Sequence, residues 1–155
     1  MKKKSVLAIN GGKKVVTKPW APIHVFDKRE IAAATRVLKE GPMSGFLGNV
    51  GRGFLGGKEV RAFEAEFAKK FKTKHAIAFN SATTALHAAV VALGVGPGDE
   101  VIVSPYTMSA SVTAVLQNGG VPIFADVDER TFCLDVESVR KAITPRTKAI
   151  MVTDL

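Results

Sequence analysis

With 155 residues, 46% of them apolar, the chain is long enough to bury a core and lies within the usual range of one domain, which excludes disorder as the default. No apolar run approaches the roughly 20 residues that span a bilayer, Val6 to Ile9 is too short for a signal-peptide core, and the single Cys133 cannot form an internal disulfide. A cytoplasmic protein without membrane contact is expected. The formal charge of +8 is divided between a short tail, Lys2 to Lys4, a pair at Lys13 and Lys14, and basic residues scattered among acids. It lacks the basic and aromatic interleaving of a nucleic-acid reader, so a solvated surface and no nucleic-acid partner are expected.

After the Pro-containing stretch Lys18-Pro19-Trp20-Ala21-Pro22, helical spacing runs from Asp27 to about Glu40, with Ile31, Ala34 and Leu38 on one face, Asp27 as N-cap and Gly41-Pro42 as the stop. Seven glycines between Gly41 and Gly57 mark a loop. A second helix is predicted from about Lys58 to Phe71, where Val60, Phe63, Phe67 and Phe71 form an apolar face expected to be core, and Glu66 is placed to pair with Lys70.

From His75 the pattern becomes short apolar runs separated by helices. A buried strand is predicted at Ala76 to Phe79, a helix at Thr83 to Leu93 stopped by Gly94, a turn at Gly96 to Asp99, and a strand at Glu100 to Val103. A helix from about Ser109 to Gln117, a strand at Pro122 to Val127, a short helix capped by Asp135 with Leu134 and Val139 as a staple, and a strand at Ala149 to Val152 follow. Cys133, between Phe132 and Leu134, reads as a small buried residue. The alternation gives the predicted fold class: α/β, a three-layer, largely parallel sheet with flanking helices. Residues 1–57 are expected to form an arm, helix and Gly-rich loop, and residues 58–155 the α/β domain. Because a buried parallel strand is normally followed by a covering helix, the end at Leu155 suggests a truncated chain with an incomplete domain.

Two segments carry chemistry. Asn80-Ser81-Ala82-Thr83-Thr84-Ala85-Leu86 puts small and hydroxylic residues where a strand is predicted to give way to a helix, and unpaired amides at the positive end of a helix dipole make an anion site. An ordinary N-cap by Ser81 or Thr83 explains the same residues. Ser104-Pro105-Tyr106-Thr107-Met108-Ser109 follows the next strand, at the carboxyl edge where α/β sheets gather ligands, and a Pro turn with Ser109 as N-cap is the alternative there.

In this order and spacing, the two segments resemble the DegT/DnrJ/StrS family of sugar aminotransferases, which have the aspartate-aminotransferase fold. The resemblance extends to Asn10-Gly11-Gly12, Gly41-Pro42-Met43-Ser44-Gly45, the run from Glu59 to Glu64, the run from Leu93 to Val103, Asp126-Val127-Asp128 and the run from Ala142 to Ile150. It implies that Ala82, Thr83 and Thr84 hold the phosphate of pyridoxal phosphate through backbone amides and a hydroxyl. Met108 falls where the family has a Phe or Trp stacked on the pyridine ring, and Asp154 where a His is common; both are departures from the pattern. The resemblance further implies a homodimer acting on an amino donor and a keto-sugar, with Gly41 to Gly57 near a shared site and the sugar expected to be nucleotide-linked. The Schiff-base lysine would lie beyond residue 155, which leaves no catalytic residue in this chain. Lys148, in Thr144-Pro145-Arg146-Thr147-Lys148, directly precedes a predicted strand and is read as structural.

Three other readings are weighed. Gly51-Arg52-Gly53-Phe54-Leu55-Gly56 matches the dinucleotide pattern, but a helix and a long loop precede it where a strand is required. A dehydratase of the same family, in which histidine replaces the lysine, differs at a position outside this sequence. A non-catalytic binding module is the third.

Overall fold

The computed structural model describes residues 6–21, 23, 26–43, 45–46, 48–51 and 53–155. The tail Lys2 to Lys4 lies outside the described residues, as do Pro22, Ser44 and Arg52 of the segments quoted above. The chain divides into two compact units, Met1–Gly57 and Lys58–Leu155.

In the first unit a single 3-10 turn at Ala8–Asn10 closes on Gly11, whose φ of 88° is readily reached only by glycine. Helix α1, Lys28–Glu40, begins at a reciprocal cap: Asp27 Oδ1 accepts from the Arg29 amide at 2.7 Å, and Glu30 Oε2 accepts from the Asp27 amide at 2.8 Å. The loop that follows returns on itself so closely that a Cβ on Gly45 would lie 2.3 Å from the Gly57 nitrogen.

The second unit opens with α2, Lys58–Phe71, followed by α3, Ala82–Ala92, and strand β1, Glu100–Val103. Helix α4, Ser109–Gln117, leads to β2, Val121–Phe124, and α5, Val136–Ala142, leads to β3, Thr147–Met151. The three strands pair in parallel in the order β2-β1-β3. The crossover from β1 to β2 and the one from β2 to β3 run in opposite directions across the sheet. Right-handed connections therefore place α4 on one face and α5 on the other, which is the predicted layering.

The core sits where α3 and α4 meet the sheet. Val101 and Val103 of the central strand pack with Val90, Val95, Ala114 and Val115, flanked by Leu86, Val112, Ala149 and Met151. Withdrawing each large apolar side chain from water contributes about 1.5 to 3 kcal/mol. Ile102 points to the opposite face, in register with Ile123 and Ile150. The turn into β1 has the predicted chemistry: Gly98 has a φ of 87° after Pro97, and the Asp99 carboxylate accepts from the Gly96 amide at 3.0 Å.

Four expectations are corrected. The segment Ala76 to Phe79 forms no strand: it has no ladder partner among the described residues, Ile77 is 74% exposed, and the Ala78 amide donates to Glu64 Oε1 of α2 at 2.8 Å. Phe63, Phe67 and Phe71 are exposed rather than core, their tilted rings following one another along α2 with centroids 5.8 and 4.4 Å apart. Strand β2 ends at Phe124, not Val127, because the Asp126 amide turns to Ser138 Oγ at 2.7 Å and leaves the ladder. Cys133 is half-buried, beside Phe132 with its positive φ of 59°.

Candidate functional site

Ala82, Thr83 and Thr84 form the first turn of α3, and all three are exposed. Ser81 is the N-cap: its Oγ accepts from the Thr84 amide at 3.2 Å, and its carbonyl accepts the first helical bond from Ala85 at 3.1 Å. Helix geometry leaves the amides of Ala82 and Thr83 without an intrahelical acceptor, at the positive end of an 11-residue helix. No acid lies in that first turn. The Thr84 hydroxyl donates to Asn80 Oδ1 at 2.7 Å and lies 2.9 Å from the Ser81 carbonyl, so it braces the turn. Among the described residues no hydrogen bond engages the Thr83 hydroxyl. The cap is thus made by Ser81, and the amides of Ala82 and Thr83 take no part in it.

Met108 is reached from the carboxyl end of β1. The connecting turn is set by Ser104, buried, whose Oγ accepts from the Tyr106 amide at 3.1 Å. Met108, not Ser109, occupies the N-cap of α4; it makes no side-chain cap bond and is 77% exposed. A thioether in a position that favours hydroxyls or carboxamides breaks a local rule, as functional positions often do. With Pro105, Tyr106, Thr107 and Leu155 it lines a shallow groove at the carboxyl edge of the sheet, and the Tyr106 ring lies 5.5 Å from that of Phe132.

Lys148 is at the other end. It lies near the start of β3, and its Nζ is 3.5 Å from Asp99 Oδ2 at the amino edge. The carboxyl end of β3 at Met151 lies three residues on, about 10 Å along the strand. Beside it, Glu100 is buried, with its carboxylate held by the Thr144 hydroxyl and by the Arg146 guanidinium, whose Nε donates at 2.8 Å. The Thr144 hydrogen bond first, and Arg146 second, keep Glu100 below the usual carboxylate range.

Residues 47–155 match the DegT/DnrJ/EryC1/StrS aminotransferase family. The chain belongs to that family. It is 52% identical over 99 residues to GDP-perosamine synthase of Caulobacter vibrioides, covering 64% of this chain and 27% of that protein. It is 40% identical over 149 residues to L-glutamine:2-deoxy-scyllo-inosose aminotransferase of Streptomyces lividus, covering 96% of this chain and 34% of that one. Among solved structures, NtdA of Bacillus subtilis with bound cofactor PMP superposes with a TM-score of 0.68 at 35% identity, over 79% of this chain and 26% of that chain. The chain spans about three tenths of the length of the curated relatives it matches. Its α/β layer is part of the aspartate-aminotransferase-like fold of the solved relatives.

The DegT/DnrJ/EryC1/StrS aminotransferases imply pyridoxal phosphate. The residues present fit its phosphate end: two outward amides, a hydroxyl at Thr83 and no acid in the turn suit a phosphate dianion. Sequence reasoning missed the hydroxyl contacts that meet behind Met108. Thr153, following β3, donates to Thr107 Oγ1 at 3.3 Å, and Thr107 Oγ1 lies 3.0 Å from Ser111 Oγ. Hydroxylic residues after two strands, Thr107 and Thr153, were the sequence signal for it.

Proposed function

We propose that this chain supplies the phosphate-binding part of a pyridoxal-phosphate site in an enzyme that transfers an amino group from an amino acid such as glutamate to a nucleotide-linked keto-sugar. The observation that carries the reading is the first turn of α3, with free amides at Ala82 and Thr83, in a chain that belongs to an aminotransferase family. The names of the relatives, a GDP-perosamine synthase and an L-glutamine-dependent inosose aminotransferase, support a sugar or cyclitol acceptor and an amino-acid donor.

When bound, the cofactor supplies a carbonyl that takes up the amine and a ring that withdraws electrons from the reacting carbon. The chain's own residues hold and orient. The amides of Ala82 and Thr83 and the Thr83 hydroxyl bind the phosphate; Asn80, Ser81 and Thr84 keep that turn rigid; and Met108 lies against the ring through a polarizable thioether. Lys148, occupied with Asp99 at the amino edge, does not supply the reactive amine. The same reading makes the enzyme a cytoplasmic homodimer.

The test is to offer the enzyme a 15N-labelled amino donor with nucleotide-linked keto-sugars and to follow the label by mass spectrometry. Transfer of 15N to the sugar is the predicted result. A sugar that loses water without gaining nitrogen, or transfer only to small keto acids, overturns it.

A further inference from the structure

The hydroxyl chain at the carboxyl edge of the sheet has no part in the reading above. Thr107, Ser111 and Thr153 come from the turn after β1, from α4 and from the segment after β3, and the Thr107–Thr153 contact spans 46 residues. Ser111 is buried and the two threonines are half-buried. They flank a position where side-chain capping is missing: Met108 opens α4 with no side-chain cap bond and with most of its side chain in solvent. A helix start that lacks a cap gives up about 1 kcal/mol of local stability and tends to fray. Here the residue before the cap is tied sideways instead, to α4 through Ser111 and to the segment after β3 through Thr153. The Ser111 amide also donates to the Met108 carbonyl at 3.1 Å, which closes the turn beneath the tied residue.

The geometry points to Thr107 and Thr153 as positioning residues that hold Met108 over the carboxyl edge, so that the placement of the ring-facing thioether depends on β3 as well as on β1. This rests on the proposal that Met108 lies against the cofactor ring. Thr107 and Thr153 act through Met108, by fixing the backbone that leads into it.

Thr153→Val keeps the shape of the side chain and removes the donor, while Thr153→Ser keeps the donor. Two readouts are taken on the purified protein: hydrogen exchange of the amides at 109–111 without cofactor, and affinity and visible circular dichroism with pyridoxal phosphate. Thr153→Val is expected to speed exchange at the start of α4, to weaken cofactor binding by about three- to tenfold, the scale of one neutral hydrogen bond, and to change the visible dichroism; Thr153→Ser is expected to restore all three. Unchanged exchange in Thr153→Val overturns the positioning role whatever the cofactor does. Faster exchange with unaltered affinity and dichroism overturns the link to the ring. A parent protein that takes up no pyridoxal phosphate refutes the site reading, and the link to the ring falls with it.

Discussion

Glu100 begins the central strand with a side chain only 3% exposed, yet it remains a carboxylate because the Thr144 hydroxyl and Arg146 guanidinium converge on it. Its pKa is lowered, so the stability it contributes is fully present above the ordinary value of 4.5 and is lost as the pH falls through the lower, folded value. Glu100→Gln should therefore lower the melting temperature at neutral pH, and the gap between parent and variant should close as the pH is taken below 4.5. Thermal unfolding followed by circular dichroism over that range checks it; a gap that widens in acid would contradict the assignment. The same residue shows a limit of sequence reading. Glu100 reads as the first position of a strand, and nothing local says that its partners are 44 and 46 residues away. Ser81 and Asp135 were legible because a cap is a local event: each side chain accepts from the amide three residues on, at 3.2 and 2.7 Å. Met108 is a candidate only through the family pattern, and its place at the cap of α4 was not legible in the sequence.

At the level of elements, α2 and α4 have the bounds that their apolar spacing predicts, Lys58–Phe71 and Ser109–Gln117, because helical hydrogen bonds close within a few residues. A strand needs a neighbour from elsewhere in the chain. Glu100–Val103 has two and forms; Ala76 to Phe79 has the same apolar character, finds none among the described residues and stays out of the sheet. The phenylalanines of α2 teach the same lesson: spacing identifies a face that repels water but not what covers it. The join between α4 and β2 leaves no room for a side chain at Gly120. A Cβ on Gly120 would come within 2.8 Å of Val95 Cγ1 and 3.0 Å of Val115 Cγ1, both core side chains. Gly120→Ala should destabilise the fold by about 1 to 3 kcal/mol, the usual penalty for overpacking, measured as a lower midpoint in urea. An unchanged midpoint would mean that the core there is looser than its contacts indicate.

Over the whole molecule, the α/β class, the parallel sheet and the family were all legible from the order of short segments, since each is set by pattern along the chain rather than by one contact. What was not legible is how the sheet divides its labour between its edges. The amino edge carries two ion pairs, Asp99 with Lys148 and Glu100 with Arg146, while the linked hydroxyls of Thr107 and Thr153 and the exposed Met108 lie at the carboxyl edge. Only the parallel register, which aligns Glu100 with Val121 and Thr147, sorts these residues to opposite ends. That sorting separates Lys148 from the groove. The central claim is that the phosphate of pyridoxal phosphate binds at the first turn of α3, and the most direct measurement is a titration with pyridoxal phosphate followed by amide NMR. The largest shifts are predicted at Ala82, Thr83 and Thr84, with a smaller response at Met108, and inorganic phosphate should move the α3 amides but not Met108. If those amides stay still while others move, or if the largest response falls at Lys148 and Asp99, the account is contradicted.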